Sequence, residues 1–368
     1  MSKQNNTCPT ANDRLGSTGG QAVLEGVMMR SKTKVALSVR DVNGKIRTEV
    51  TNVSSVAGKS KFLRLPLIRG VVGFIDSMAL SFRTLSRSAE MLGIEEEESK
   101  FEKWLRKHFG KGLVAFASAL GTVLGVLLSV GLFMYLPKVL SNFAVSPEAA
   151  QTSYGMALLK SFLQGLLRIL IFLLYIKLVS LIPDMKRTFM YHGAEHKSIF
   201  CHEKYEPLTV ENVRKQSRFH PRCGTSFLVV MMVIGILVSV PFANQKDGIY
   251  VLLKLCTLPV VVALGYEFIR YAGRHDNLFV RIVSAPGLWV QRITTLEPDD
   301  SMIEVAIRSL KASLPEVYPE IVEELRADKE TPADTETPET DGEQSSEEGS
   351  SETPETPSDT SEDGGDAE

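Results

Sequence analysis

The chain has 368 residues, with 41 Lys+Arg, 44 Asp+Glu and four cysteines, for a formal net charge of −3. Cys8, Cys201, Cys223 and Cys256 are too few and too scattered for a disulfide-stapled secreted domain. The near-neutral average hides two unlike parts. Residues 327–368 hold 16 acidic residues and one lysine, whereas residues 1–326 carry 28 acidic and 40 basic residues together with uncharged apolar runs. That pattern argues against a wholly soluble enzyme and for a membrane protein with an acidic tail.

Residues 1–18 read as a flexible lead, with no apolar run before Cys8, so no export signal is expected. Residues 19–60 read as a small cytoplasmic β-containing module. Val35–Arg40 and Lys45–Val50 flank Asp41-Val42-Asn43-Gly44, and β-branched alternation around Asn-Gly predicts a hairpin. Gly19-Gly20-Gln21 also occurs at the catalytic tip of release factors, but a tripeptide is a weak match, and the glycines are read as permitting a tight turn. Arg30, Lys32, Lys34 and Arg40 give a positive face suited to lipid headgroups, and no nucleic acid is expected. Within 61–112, Leu63–Phe82 is apolar but interrupted by Pro66, Arg69 and Asp76, which suggests an interfacial or re-entrant helix followed by a solvated one.

Residues 113–272 read as a four-span membrane domain. Leu113–Leu136 and Thr225–Gln245 are uncharged, and Met156–Ile182 and Ile249–Tyr271 are apolar apart from isolated charges. At 1.5 Å per residue such runs cross a hydrocarbon core of about 30 Å. The segment between the second and third spans holds Lys186, Arg187, Lys197, Lys204, Arg214, Lys215, Arg218 and Arg222, against Lys138 and Lys246 in the other connections. This bias puts both termini and the central loop in the cytoplasm of a bacterial cell, with the protein in its plasma membrane. Residues 273–326 form a cytoplasmic segment. Asp299 and Asp300 precede apolar Ile303, Val305, Ala306 and Leu310 at amphipathic-helix spacing. Residues 327–368 lack core-forming side chains and are expected to be disordered.

The chemistry concentrates in the central loop, residues 183–224. His192-Gly193-Ala194-Glu195-His196 has the H-x-x-E-H form, which on a helix sets two imidazoles on one face with Glu195 as a candidate general base. His220, Cys223 and Glu267 are the alternative completing ligands, and Cys201 and His202 lie nearby in sequence. Zn2+ is the ion this set suggests. A closed four-ligand site would be structural, and one left open to water would be catalytic. A second constellation, Lys160, Gln164 and Arg168, recurs every four residues along the second span. Intramembrane charges of this kind mark a solute path or a partner.

Several strings resemble the YqhQ-like bacterial membrane protein family. They are Gly19 through Arg30, Pro66-Leu67-Ile68-Arg69-Gly70, Tyr191 through Lys197, His220 through Phe227, Ala285-Pro286-Gly287-Leu288 and Thr294-Thr295-Leu296-Glu297-Pro298. The resemblance implies a multi-pass membrane protein with a domain of unknown function, sometimes labelled a metal-dependent enzyme. It also implies one composite site built from the matched strings. The expectation is therefore an α-helical integral membrane protein with four spans, a small β module and a metal site working in hydrolysis. A conduit using Arg168 and Glu267, or a scaffold for a cytoplasmic protein partner, are the alternatives.

Overall fold

The computed structural model describes residues 14–53, 65–93, 119–243, 245, 247–272, 275 and 277–330. The acidic tail beyond residue 330, residues 94–112 of the expected solvated helix and residues 113–118 of the first expected span lie outside the described residues.

The β module is a four-stranded antiparallel meander of β1 (Gly19–Val23), β2 (Gly26–Arg30), β3 (Lys34–Arg40) and β4 (Ile46–Asn52). The expected hairpin is β3–β4. Asp41 Oδ1 accepts from the amides of Asn43 and Lys45, and Gly44 takes a φ of +78°, which suits glycine. β1–β2 has a tighter turn with Glu25 at a φ of +46°. Glu25 is held there by Arg187, whose Nε and Nη2 each donate to its carboxylate at 2.5 Å.

Alternation sends the sheet's side chains to two cores. Val23, Met28, Val35, Leu37 and Val39 pack on Met91 and Leu92 at the end of helix α1 (Pro66–Met91). Val27 and Met29 face the opposite core with Tyr191, Met302, Ile303, Val305, Ala306 and Leu310. The last five belong to α10 (Asp300–Ser313), the helix expected from Asp299 and Asp300; Asp299 caps it, accepting from the Met302 amide.

Four described helices are long and apolar enough to cross a membrane: α2 (Ala119–Ala144), α4 (Tyr154–Val179), α7 (Gly224–Phe242) and α8 (Asp247–Ala272, apolar from Gly248). A short α3 (Pro147–Thr152) joins the first two. Leu124, Leu128, Phe162, Leu174, Leu252 and Leu255 are exposed on these helices. Long helices with outward apolar faces are compatible with a multi-pass membrane protein. A π-turn at Gly131–Tyr135 interrupts α2.

Three segments take a definite form. Residues 14–18 are not a loose lead: the Gly16 amide donates to Glu203, and Arg14 donates to the His202 carbonyl. Pro66 occupies the first turn of α1 instead of breaking it, so the segment runs on as one helix against α8. The His-rich connection is itself helical, as the H-x-x-E-H spacing requires. It forms α5 (Pro183–Glu203), buried from Tyr191 to His202 except for half-buried His192 and Phe200, and a short α6 (Val210–Arg214). It is buried because the sheet, α10 and α6 all pack against it. Helix α9 (Leu278–Thr294) packs on α7, and α11 (Glu320–Glu330) follows α10.

Candidate metal centre

Residues 192, 195 and 196 share one face of α5 because helical neighbours lie three and four apart. Cys223 is the N-cap of α7, and its sulfur accepts from the Thr225 amide at 3.4 Å. The two elements meet so that ligand atoms of His192, His196 and Cys223 all lie within 4.8 Å of one another. His192 Nε2 is 3.1 Å from Cys223 Sγ.

The other nitrogen of each imidazole is fixed. His192 Nδ1 donates to the Thr294 carbonyl at 2.9 Å, and His196 Nδ1 donates to the Arg218 carbonyl at 2.6 Å. A carbonyl only accepts, so both rings carry the Nδ1 proton and turn Nε2 inward, the arrangement found behind metal-ligating histidines. Gly193 makes the first contact possible. A Cβ there would stand 2.0 Å from the Leu296 carbonyl oxygen, whereas glycine lets the 294–298 strip close on α5, with the Leu296 amide donating to the Phe189 carbonyl.

Burial opposes charge on Cys223, yet His192 and His196 outweigh it and hold the thiol well below its ordinary value. Burial likewise opposes protonation of His192, but Cys223 and Glu195 raise it to about 9. The two shifts are opposite in sign and favour a thiolate beside an imidazolium. Glu195 is 4 % exposed, and its Oε2 has no hydrogen-bond partner although it lies 3.9 Å from His192 Nε2. Burial pushes this carboxyl upward against the pull of His196 and His192, and the Gly20 amide donates to it. A Cβ at Gly20 would stand 2.8 Å from Glu195 Cγ, so β1 lies directly on the carboxylate.

The donor set fits a borderline-soft divalent ion such as zinc. Two imidazoles and a thiolate supply three ligands, and the orphaned Glu195 oxygen lies 3.9 Å from one of the ligand atoms, His192 Nε2. A cavity of about 1100 Å³ adjoins the cluster, lined among others by Gly19–Ala22, Glu195, Arg30, Lys32, Leu228 and Arg270.

His220 and Glu267 are not in the cluster. Gln291, fully buried, holds the His220 backbone from both sides, accepting from its amide and donating to its carbonyl. The His220 ring instead faces Glu203, 3.5 Å from Nε2 to Oε2. Burial opposes ionisation of Glu203, but His220 and Arg222 hold its carboxyl down to about 2. His220 thus backs His196, ring centroids 5.5 Å apart, without joining it. Glu267 pairs with Arg69 of α1 at 2.5 Å. His202 bonds the Tyr318 hydroxyl, and the Cys201 thiol, which burial pushes to about 11, turns to the Glu206 and Pro207 carbonyls. In the long apolar helices, Gln164 donates to Ser141, Arg168 to the Phe133 carbonyl, and both, with Lys160, line a separate cavity.

The partners that orient the cluster went unseen in the residue pattern because Thr294 and Arg218 act through backbone carbonyls. Gln291 carried no signal beyond its place in an apolar helix. Only the resemblance strings, which include Gly20, His220 and Thr294, pointed to these segments together.

Residues 65–316 match the family described as "Protein of unknown function (DUF1385)". The "Uncharacterized protein YqhQ" of Bacillus subtilis (strain 168) is 31% identical over 298 residues, covering 80% of this chain and 92% of that protein. No solved structure matches. The chain belongs to the DUF1385 family.

Proposed function

We propose that this DUF1385 protein is a metal-dependent hydrolase of the bacterial plasma membrane, with its site on the cytoplasmic face. The observation that carries this reading is the pair of Nδ1–carbonyl hydrogen bonds that turn both imidazoles toward Cys223, next to a buried glutamate oxygen without a partner. His192, His196 and Cys223 would hold a zinc ion. When bound, the ion supplies Lewis-acid activation at the reacting centre. Glu195 accepts the proton of an attacking water, a role suited to a carboxyl raised by burial toward the working pH. Gly20 positions that carboxylate. Arg30, Lys32 and Arg270 give the cavity wall a positive charge that favours an anionic substrate, and Leu228 and Ile269 give it an apolar edge.

One contact favours a second reading. The 3.1 Å approach of His192 to a cysteine at a helix N-terminus is also the geometry of a cysteine nucleophile with its base.

The test is metal analysis of detergent-purified protein prepared without chelator, beside His192→Ala/His196→Ala and Glu195→Gln. We expect about one zinc per chain, lost in the double variant and kept in Glu195→Gln, with metal-dependent hydrolysis of an ester, amide and phosphoester panel lost in Glu195→Gln. Wild-type protein that refuses added zinc, while Cys223 alkylates rapidly in a His192-dependent way, would overturn the metal reading in favour of the nucleophile.

A further inference from the structure

The cavity of about 1100 Å³ beside the metal cluster has two unlike walls. One is an edge of the β module, with Arg30 at the end of β2 and Lys32 in the turn after it. The other is the end of the helical bundle: Leu228 of α7, Ile269 and Arg270 of α8, and Ser81 of α1.

Close approaches at glycines fix the level of these residues. A Cβ at Gly265 of α8 would meet the Phe227 and Met231 side chains of α7, each at 2.6 Å, and one at Gly235 of α7 would lie 4.0 Å from Val261 of α8. The two helices therefore run antiparallel. Counting outward from that contact brings Cys223 level with Arg270, in the last turn of α8. Leu228 stands one turn deeper, about 7 Å from Cys223 along the axis. It lines the cavity and is still 42 % exposed, so this wall continues onto the outer apolar surface of α7. Helix α1 runs beside α8, with a Cβ at Gly70 standing 2.7 Å from Ala263 and one at Gly73 2.7 Å from the Tyr266 ring. Its Ile75, Met78 and Phe82, three and four residues apart, form an exposed apolar stripe next to Ser81 of the lining. With α7 and α8 in the bilayer, as proposed above, the cluster and Arg270 lie at headgroup level and Leu228 faces acyl chains.

We propose that the substrate entering this cavity is a glycerophospholipid of the surrounding bilayer, its phosphate toward Arg270, Arg30 and Lys32 and its chains leaving over Leu228 and Ile269. Guanidinium and ammonium groups are the usual donors to phosphate oxygens. A soluble phosphoester would meet the same cations but gain nothing from the apolar exit. The volume, at the upper end of ligand pockets, has room for a headgroup and the first part of its chains. That the lipid is cleaved rests on the hydrolase reading; that it enters does not. Cleavage adds water across one ester: the water oxygen bonds to the acyl carbon or the phosphorus, and the proton taken by Glu195 passes to the departing alcohol oxygen.

The test is photo-crosslinking of the full chain in neutral detergent, using phosphatidylglycerol with a diazirine near the glycerol end of one chain. Mass spectrometry should find the label on peptides containing Leu228 or Ile269. The matching diacylglycerol should not label them, and glycerol phosphate at equal concentration should not displace the phospholipid. Leu228→Gln and Arg270→Gln, made separately so that one misfolded variant does not decide the matter, should each cut labelling about tenfold and leave zinc content unchanged. Equal labelling by diacylglycerol, displacement by glycerol phosphate, or undiminished labelling in both folded variants would overturn the proposal. Zinc-dependent hydrolysis without labelling would remove the lipid alone, whereas labelling of protein that binds no zinc would support the lipid site and remove the hydrolase reading.

Discussion

At one end of the helical bundle, His192, His196 and Cys223 are oriented by the Thr294 and Arg218 carbonyls and the Thr225 amide, with a carboxylate at hand. At the other, Lys138, Lys160, Arg168 and Lys254 border a space that no Asp or Glu lines among the described residues. The first site has bases and an acid in contact, so it can coordinate a cation and move protons. The second, among the described residues, is lined by no histidine or cysteine, so it has no comparable ligand set for a cation. The difference also reflects surroundings. The cluster sits in a packed core between sheet and helices, where the fold itself supplies every second partner. The cationic cavity sits between helices whose apolar faces point outward.

The largest effect should come from removing the cluster's ligands. His192→Ala/His196→Ala should abolish zinc binding, measured by metal analysis, while the helical circular-dichroism signal is kept.

Arg222→Ala should come next. It leaves the 5 %-exposed Glu203 side chain without its cation, and breaking a buried pair costs about 3–5 kcal/mol. The wild-type contribution of Glu203 has a definite sign. Its folded pKa, about 2, lies below the ordinary 4.5, so its stabilisation is present above about pH 4.5 and is lost as pH falls toward 2. Denaturation at pH 7 and at pH 4 should therefore show the variant's deficit shrinking on acidification, because an unpaired Glu203 protonates earlier.

His202 supplies a smaller pH slope. Burial, then Arg14, holds it near 4, below the ordinary 6.5. Stability should fall by about 2–3 kcal/mol between pH 6.5 and 4, because the unfolded chain takes up the proton first. His202→Gln should flatten that segment of the pH profile.

Gly20→Ala should give the mildest global effect, of about 1 kcal/mol. The added methyl meets Glu195 Cγ and Oε1 and the Met28 carbonyl, each at 2.8 Å. Zinc content should hold while hydrolytic turnover falls, which would separate the placing of the base from metal binding.

What the residues revealed follows from where the determinants lie. The four long apolar helices were legible because long uncharged runs have few other uses, and β3–β4 because Asn43-Gly44 specifies its turn. β1–β2 was not, since Gly-Gly-Gln-Ala lacks alternation and Glu25 holds its positive φ with help from Arg187, 162 residues away. The pair His192 and His196 was legible from helical spacing alone. The choice of Cys223 over His220 and Glu267 was not. It depends on Gln291 and Glu203 holding His220 in place, and on Arg69 taking Glu267 from a helix almost two hundred residues earlier.

The central claim is that two imidazoles and one thiolate form an open metal site. The most direct test is optical titration of metal-free protein with Co2+. The account predicts saturation at about one equivalent, strong visible bands of a four-coordinate ion, and a near-ultraviolet thiolate-to-cobalt band that disappears in Cys223→Ser. No uptake, or the weak spectrum of a six-coordinate oxygen site that Cys223→Ser leaves unchanged, would contradict it.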